Sequence, residues 1–300
     1  MIKTPPFFSV VIPTYRRPEY LAEALASVLK QTFQDFEVIV VDDDTEEQGR
    51  AVVESFGDKR VSYVRNDRQR GGAGTRNAGI FRATGQWVAF LDDDDIWMPE
   101  KLAFQHEQIE ASDSDLGLVY TGHTRFDPET NNTYTFVPAH QGWIEKDLFV
   151  KNVVNGFYSV AIRRDILNDI GGLDERFPAM QDLELYIRVA KNYKAAYLPQ
   201  PLVRVRGSRT GRITTNHGSK LKASKLFTQK YKTEINRSLR FKHWAASQTF
   251  MYALVEGKLL DTLKSTPLTV AGIIADRSNI VYVARFVART YLGRLRNLSR

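Results

Sequence analysis

Four consecutive aspartates, Asp92 to Asp95, follow an apolar run in the stretch GQWVAFLDDDDIWMP. Adjacent carboxylates repel one another unless a cation neutralises them, and a divalent metal ion is the strongest neutraliser that oxygen ligands can hold. A second acidic run, Asp42 to Asp44, ends another apolar stretch. The two runs together predict a site for a cation and for an anionic ligand bound through it.

A simpler explanation exists for each acidic run. Aspartate favours turns and the caps that precede helices, and Pro99 suits the first turn of a helix after Asp95. Asp92 to Asp95 would then form a solvated turn. For Asp42 to Asp44 alone, a cap and turn is the simpler interpretation. Two acidic runs at equivalent ends of one sheet favour the binding site.

Short apolar runs alternate with helix-period segments through the first 120 residues. The predicted strands are Phe8 to Ile12, Phe36 to Val41, Val61 to Val64, Trp87 to Leu91 and Leu116 to Tyr120. The predicted helices are Glu19 to Leu29, Glu46 to Phe56, Thr75 to Ala83 and Pro99 to Ile109. This alternation predicts a doubly wound α/β domain, in which ligands bind outside the carboxyl ends of the strands.

Beyond Tyr120 the alternation loosens. The pattern predicts a hairpin in RFDPETNNTYTF, a strand in GFYSVAIRR, a helix in QDLELYIRVAKN and two short strands around Pro199 and Pro201. The segment GSRTGRITTNHGS predicts a mobile basic loop. From Lys220 onward the sequence is typical of helices.

Composition narrows the classes of protein. A chain of 300 residues with 43% apolar residues can bury a substantial core, and its formal charge of +7 suggests an anionic partner. The absence of cysteine excludes disulfides, thiolate nucleophiles and zinc-cysteine sites. No segment approaches ~18 uninterrupted apolar residues, which predicts a cytoplasmic protein that does not span a bilayer.

Three segments resemble, in order and spacing, the motifs of family-2 inverting nucleotide-sugar glycosyltransferases of the bacterial surface-polysaccharide type. They are FSVVIPTYRRPEYLAEALASVLKQTFQDFEVIVVDDD, GGAGTRNAGIFRATGQWVAFLDDDDIW and QDLELYIRVA, and the match runs from Phe8 to Arg206. The resemblance implies the glycosyltransferase A fold, an α/β fold with a doubly wound, Rossmann-like mixed sheet. It also implies transfer of a sugar from a nucleoside diphosphate sugar.

The resemblance assigns residues to the nucleotide and the metal. The nucleotide-binding residues that it implies are Pro13, Thr14, Tyr15, Asp43, Arg76, Asp92 and Asp93. The family's Asp-x-Asp motif falls on Asp92 to Asp94 with an ambiguous register, and we assign Asp94 to Mn²⁺ or Mg²⁺. Arg76 has an alternative interpretation as an ion-pair partner that only holds the aspartates in place.

Inverting transfer needs one carboxylate base, and the resemblance places it at Asp182. The family usually has a glutamate before this aspartate, where the chain has Gln181. Asp182 could also cap the helix that follows. Glu184 is the lesser candidate, because on a helix it would point away from Asp182.

Many relatives follow the PLVRVR strand with a metal-binding histidine, where this chain has Gly207. Either the nearest histidine, His217, completes the metal site or water replaces it. The predicted organisation is a catalytic domain over 1–218, with a nucleotide-binding part (1–120) and an acceptor-binding part (121–218). Residues 219–300 form a C-terminal helical extension.

The tail from Asp276 to Arg300 has the pattern of a basic amphipathic helix. One interpretation is peripheral docking on the inner face of the cytoplasmic membrane, where a lipid-linked acceptor would be found. The other is packing on the catalytic domain or on a second copy of the chain, which would make a homo-oligomer.

The leading prediction is a metal-dependent hexosyltransferase that passes a sugar, from UDP-sugar as the expected donor, to a glycan or lipid-linked oligosaccharide. The Gln-x-x-Arg-Trp motif of processive relatives is missing, so we expect one sugar per encounter. The rivals are a nucleotidyltransferase and a non-catalytic, membrane-docked partner of a polysaccharide assembly machine. No motif supports nucleic acid as a partner.

Overall fold

The computed structural model describes residues 4–127, 131–206 and 216–275. The strands are β1 (Phe8–Thr14), β2 (Phe36–Asp42), β3 (Val61–Arg65), β4 (Trp87–Phe90), β5 (Asp95–Trp97), β6 (Leu116–Asp127), β7 (Asn132–Phe136), β8 (Val160–Arg163) and β9 (Lys194–Val205). The helices of the first 206 residues are α1 (Pro18–Leu29), α2 (Gln48–Phe56), α3 (Gly71–Ile80), α4 (Lys101–Glu110), α5 (Glu145–Leu148), α6 (Arg164–Asp169) and α7 (Gln181–Ala190). They are followed by α8 (His217–Lys230), α9 (Lys232–Asn236), α10 (Leu239–Val255) and α11 (Leu259–Ala275).

The described strands form one mixed sheet in the order β3-β2-β1-β4-β8-β6-β9-β5, with β7 paired to β6. β3, β2, β1 and β4 run parallel to one another, whereas β8 is antiparallel to both β4 and β6. The elements predicted for the first 120 residues are all present, with shifted ends. The prediction of a doubly wound α/β fold is confirmed.

The parallel half of the sheet is built from almost continuously apolar strands. β1 and β2 are buried along nearly their whole length, as expected of parallel strands covered on both faces. Helix α3 packs closely on β1, because a Cβ on Gly79 would lie 2.4 Å from Cγ1 of Val11. Only glycine permits this approach, and it places Arg76 of the same helix against the strand that ends at Thr14.

Two predictions for the later strands were wrong. The segment around Pro199 and Pro201 forms the single strand β9, whose register with β6 shifts at Gly122 and again before His123. Proline lacks the N–H that a ladder needs, and the irregular register lets the strand continue past both prolines. The segment GFYSVAIRR begins with a 3₁₀ turn, Phe157–Ser159, and becomes the strand β8 only at Val160.

The described chain folds as two compact units. The first comprises 4–148, 152–175 and 181–206 and contains the whole sheet. The second comprises 149–151, 176–180 and 216–275 and contains α8 to α11. The prediction of a helical chain from Lys220 is confirmed as far as Ala275. The functional division at residue 218 stays a prediction.

The second unit has an aromatic core of its own. The ring of Phe149 lies 5.2 Å from that of Phe241, 5.4 Å from that of Tyr231 and 6.0 Å from that of Phe227, measured between centroids. In the three described stretches of the chain, no helix combines the length and apolarity that crossing a lipid bilayer requires. The predicted basic tail, and residues 207–215 of the predicted basic loop, lie outside the described residues.

Candidate active site

Hydrogen bonds join the ends of β1, β2 and β4 at one edge of the sheet. The hydroxyl of Thr14, the last residue of β1, donates to Oδ2 of Asp93 over 2.8 Å. The carbonyl of Thr14 accepts the backbone N–H of Asp43 over 2.9 Å. The structure therefore brings together Thr14 and both acidic runs, as expected for the carboxyl ends of parallel strands.

Tyr15 follows β1 at the same edge and is 39% exposed. The guanidinium of Arg16 lies 5.2 Å from the centroid of its ring, and Nε of Arg16 donates to buried Asp44 over 3.1 Å. Pro13 lies within β1, opposite Val41 of β2. The exposed ring of Tyr15 offers a flat surface of the kind on which a base can stack.

Asp43 is buried and fixes the start of α3. Its Oδ1 accepts from the side chain of Asn66 at 2.7 Å and from the N–H of Arg70 at 2.8 Å, and its Oδ2 accepts from the N–H of Gly71 at 2.8 Å. These bonds use three of the roughly four lone-pair sites of a carboxylate. The sequence predicted a later start, at Thr75, because a cap supplied from another strand end leaves no local signal.

Asp42 does the same for α2. Its Oδ2 accepts from the N–H of Gly49, in the first turn of α2, at 3.0 Å and from the hydroxyl of Tyr63 at 2.9 Å. Its Oδ1 accepts from the N–H of Asp44 at 3.0 Å. The cap and turn interpretation of this run is therefore right for Asp42, which accepts three hydrogen bonds as Asp43 does.

Arg76 pairs with the second acidic run. One of its terminal nitrogens forms an ion pair with Oδ1 of Asp92, and the other donates to the carbonyl of Gly72 over 3.1 Å. The guanidinium also lies 4.5 Å from the ring centroid of Phe157. The ion-pair interpretation of Arg76 is thus observed, and a direct contact with a ligand stays a prediction.

The remaining aspartates of this run share Arg17. Its Nη1 lies 3.4 Å from Oδ1 of Asp93 and 3.5 Å from Oδ2 of Asp94. Burial raises the pKa of Asp93 to about 6, with the hydroxyl of Thr14 and the charge of Arg17 opposing the rise and the neighbouring aspartates adding to it. Nothing in the residue pattern singles out Arg17 beyond its place in the RR pair after PTY.

Of the alternative that Asp92 to Asp95 form a solvated turn and cap, the turn is present at Asp93 and Asp94, but the run is not solvated throughout and does not cap α4. Asp93 and Asp95 are buried, and the residue that precedes α4 is Glu100. Asp95 begins β5, and its Oδ1 accepts the N–H of Arg206 over 3.0 Å. The carboxylates of Asp92, Asp93 and Asp95 therefore contact groups of the protein, which are Arg76, Thr14 and the N–H of Arg206.

The residues present fit a divalent cation held jointly with a ligand. Carboxylate oxygens are the donors that Mg²⁺ and Mn²⁺ prefer, and Asp92, Asp93 and Asp94 place three carboxyl groups side by side. Within the described residues, no group of three or more Asp, Glu or His side chains could hold a metal by itself. The oxygens of an anionic ligand and water would have to complete the coordination.

Asp182 lies in the first turn of α7 and is half-buried. Its Oδ2 accepts from the side chain of Asn152 over 2.9 Å. Burial raises the pKa of Asp182, and the N–H groups of Leu183 and of Asp182 itself, the charge of Arg76 and the bond from Asn152 oppose the rise. Asp182 therefore accepts N–H groups of the first turn of its own helix without being the N-cap that the alternative predicted, and it remains a carboxyl group of raised pKa close to Arg76.

The two lesser candidates have other surroundings. Glu184 is buried, and both of its oxygens accept from the guanidinium of Arg188 at 2.8 Å. His217 is the first residue of α8, in the second compact unit, where its ring centroid lies 6.3 Å from that of Tyr252.

Three buried polar atoms near Asp92 and Asp182 lack a hydrogen-bond partner within the described residues. They are Nε of Arg76, the hydroxyl of Tyr186 and Nδ1 of His123. Burial raises the pKa of Tyr186, and the charges that act on it further include those of Asp182, Asp92 and Arg76. Buried polar atoms are almost always satisfied, so a cluster of unsatisfied ones indicates a place that water or a ligand completes.

The sequence analysis missed these groups. Tyr186 lies four residues after Asp182 on α7, which places the two on one helix face and is the signal that could have found it. His123 left no such signal. It reaches the site through Tyr158, whose hydroxyl lies 3.4 Å from Nε2 of His123.

The profile of Glycosyl transferase family 2 matches residues 9–171, more than half of the chain. The chain belongs to glycosyl transferase family 2. The predicted resemblance is confirmed by this match and by curated relatives of the family.

Three of the curated relatives, all glycosyltransferases by name, are representative. The UDP-Glc:alpha-D-GlcNAc-diphosphoundecaprenol beta-1,3-glucosyltransferase WfgD of Escherichia coli is 30% identical over 188 residues, 61% of this chain and 70% of that protein. An uncharacterised glycosyltransferase of Methanocaldococcus jannaschii is 29% identical over 260 residues, 83% of this chain and 87% of that protein. Another, from Haemophilus influenzae, is 32% identical over 184 residues, 60% of this chain and 61% of the relative.

Solved structures confirm the glycosyltransferase A fold predicted for this family-2 chain. S. aureus TarS 1-349 in complex with UDP-GlcNAc superposes with a TM-score of 0.60 at 16% identity, covering 86% of this chain and 88% of that one. The mannosyltransferase PcManGT of Pyrobaculum calidifontis in complex with GDP-Man and Mn²⁺ gives 0.58 at 19% identity, covering 95% and 81%.

Replacing Asp43 tests its structural part in the site. Asp43→Ala would leave the N–H groups of Arg70 and Gly71 without their acceptor, so we expect the free energy of unfolding to fall by about 1–3 kcal/mol. Urea unfolding without any ligand measures it. Asp67→Ala is the matched control, since Asp67 is an exposed aspartate of the same connection, and we expect no change. Equal stability of the two variants would contradict the capping interpretation.

Proposed function

We propose that the chain is a metal-dependent, inverting glycosyltransferase that moves one sugar per encounter from a UDP-sugar to a hydroxyl of a glycan or lipid-linked oligosaccharide. The observation that supports it most directly is the position of Arg76 between two carboxylates. Arg76 pairs with Asp92 of the acidic run, and its charge also lowers the pKa of Asp182 on α7. One guanidinium thus links the predicted phosphate side of the cleft to the predicted base.

Asp182 takes the proton in this proposal. As the acceptor hydroxyl attacks the anomeric carbon, its O–H proton passes to the Asp182 carboxylate, and the bond from that carbon to the diphosphate oxygen breaks on the opposite side. The N–H groups at the start of α7 and the amide of Asn152 hold the carboxylate in one orientation. Its raised pKa makes it a stronger base than an exposed aspartate.

Asp94 holds the metal in this proposal, and Asp92 and Asp93 lie beside it on the nucleotide side. A bound Mn²⁺ or Mg²⁺ would supply positive charge against the departing diphosphate. Arg17 already neutralises part of the charge of Asp93 and Asp94, and it would have to share them with the ion.

The nucleoside would lie at the ends of β1 and β2. Tyr15 offers an exposed ring for the base, and Asp43 keeps one lone pair that can accept the imide N–H of uracil. Thr14 and Pro13 form the adjoining end of β1. UDP as the nucleotide is supported by the name of WfgD and by the UDP-GlcNAc complex of TarS.

The proposed acceptor belongs to bacterial surface-polysaccharide assembly. The relative WfgD is named for an acceptor sugar carried on diphosphoundecaprenol. We extend that class to this chain, together with a cytoplasmic location, peripheral contact with the inner membrane face through residues 276–300, and self-association as an alternative use of the same segment. No observation favours the nucleotidyltransferase or the non-catalytic rival.

Removing the base tests the mechanism. Asp182→Asn preserves the size of the side chain and its ability to accept N–H groups of the first turn of α7 but cannot take a proton, so we expect kcat for transfer to fall by about 10²–10⁴ with the donor Kd unchanged. Steady-state kinetics and calorimetry measure the two quantities. Asp169→Asn, an exposed aspartate at the end of α6, is the control. Full turnover by Asp182→Asn would remove this residue from the mechanism.

Metal binding is tested at Asp94. An amide is a weaker ligand than a carboxylate, so Asp94→Asn should bind UDP about tenfold more weakly than the unaltered protein when Mn²⁺ is present. Without the metal, the two proteins should bind UDP alike, which serves as the control. Calorimetric titration of UDP in both conditions decides. Identical affinities in the presence of Mn²⁺ would show that Asp94 is not a ligand.

The pH profile tests the surroundings of Asp182. The hydrogen bond from Asn152 stabilises the ionised form, so Asn152→Ala should raise the pKa of Asp182 further. Because the base must be ionised, the acidic limb of kcat/KM should move to higher pH. Asn192→Ala, at an exposed asparagine after α7, should leave the profile in place. A shift to lower pH, or none, would contradict the assignment.

A further inference from the structure

Four adjacent strands of the sheet, β5, β9, β6 and β7, present two distinct faces. Registers β5-β9, β9-β6 and β6-β7 place in one row, each residue opposite the next, Asp95, Val205, Arg125 and Tyr134. Residues directly opposite each other in a sheet point to the same face. The row therefore runs along one face from the end of the acidic run to the edge strand β7.

The neighbouring row shows that this face looks toward the site. It consists of Trp97, Val203, His123 and Phe136. The ring of His123 contacts that of Tyr158 with centroids 5.1 Å apart, and Nε1 of Trp97 donates to the carbonyl of Tyr158 over 2.9 Å. The face that bears Arg125 is therefore the face against which Tyr158 packs.

Electrostatics places the same groups together. Burial raises the pKa of Tyr158 most, and the nearby charges that act on its hydroxyl are those of Asp95, Asp92, Asp182 and Arg125. The charge of Arg125 lowers the pKa of Tyr158, whereas the three carboxylates raise it. Two strand spacings separate Arg125 from Asp95, about 10 Å. Val205 lies between them in the row and is buried, so the open part of this face begins at Arg125.

The outer end of the row is open to solvent. Arg125 is exposed and forms no ion pair with any residue in the described ranges. Tyr134, directly across from it on β7, is 52% exposed. A guanidinium with all its donors available beside an exposed aromatic ring has the chemistry to bind a phosphate and the apolar face of an attached sugar.

We propose that Arg125 and Tyr134 form the acceptor subsite, and that it recognises a sugar whose anomeric oxygen carries a diphosphate. This inference rests on the proposed function, and it identifies the sugar and its diphosphate as the part of the acceptor that the protein binds. Arg125 binds the diphosphate in a bidentate manner, and Tyr134 packs on the sugar. The sugar's free hydroxyl then points along the row toward the carboxylates.

The opposite face of the same strands supplies a matched control. Ile96, Arg204 and Thr124 lie opposite one another there, and Arg204 is also exposed and without an ion pair in the described ranges. Arg204 lines a separate groove of about 330 Å³ that faces Glu23 of α1. An anion that binds only because of positive charge would bind near Arg125 and near Arg204 equally well.

The test is calorimetric titration of the full chain, loaded with UDP and Mn²⁺. The probes are a panel of alkyl sugar 1-diphosphates, the matching alkyl glycosides without phosphate, and inorganic pyrophosphate. We expect at least one sugar diphosphate to bind tenfold or more tightly than its glycoside. Arg125→Gln should abolish that difference and Arg204→Gln should retain it. Tyr134→Ala should weaken both kinds of sugar probe, and Tyr134→Phe should not.

Three results would overturn the proposal. They are the absence of a preference for diphosphate in the unaltered protein, a preference that survives Arg125→Gln, and pyrophosphate binding as tight as that of the sugar diphosphates. Donor hydrolysis and the UDP affinity of Arg125→Gln are measured in parallel and should equal those of the unaltered protein. A protein that binds UDP and hydrolyses donor but lacks the diphosphate preference refutes the subsite alone, whereas loss of donor chemistry in the unaltered protein refutes the proposed function.

Discussion

Crowded negative charge at one edge of the sheet is the constraint on which the rest of the site depends. Asp92, Asp93 and Asp94 are adjacent, and the pKa of Asp93 rises to about 6 because burial removes water that would otherwise solvate it. Arg76 and Arg17 offset part of this charge from two different helical segments. A cleft that is incompletely neutralised by its own residues is suited to receive a cation with an anionic ligand.

The same side-chain type also fixes the scaffold. Asp42 accepts from the start of α2, Asp43 from the start of α3, and Asp182 from the start of α7. A carboxylate at a helix start is stabilised by the N–H groups and by the helix dipole, which keeps it ionised and in one orientation. The oxygen atoms that stabilise the helix starts are therefore the same ones that a ligand would need. A carboxylate such as Asp43 can also bind a ligand only where it can accept a further hydrogen bond.

The sequence predicted the parallel half of the fold well and the site in outline. Continuous apolar runs ending in acidic residues located β1, β2 and β4, because a strand buried on both faces leaves an unmistakable local pattern. The early start of α3 could not be predicted, since Asp43 caps it from the end of β2. Nor could the contributions of Tyr158 and His123, which reach the site only through the pairing of β6 with β9 and the 3₁₀ turn before β8.

The two halves of the sheet differ in how much stability a substitution of their polar residues costs. At the donor side, backbone groups and helix starts hold the carboxylates, so a substitution there disturbs the fold together with the chemistry. On β6 and β7, Arg125 and Tyr134 are exposed side chains that no described neighbour holds by an ion pair. Residues of that kind can be exchanged at little cost in stability. In the proposed function, carboxylates held by helix starts would keep the reaction the same, while exchangeable residues on β6 and β7 would let the acceptor vary.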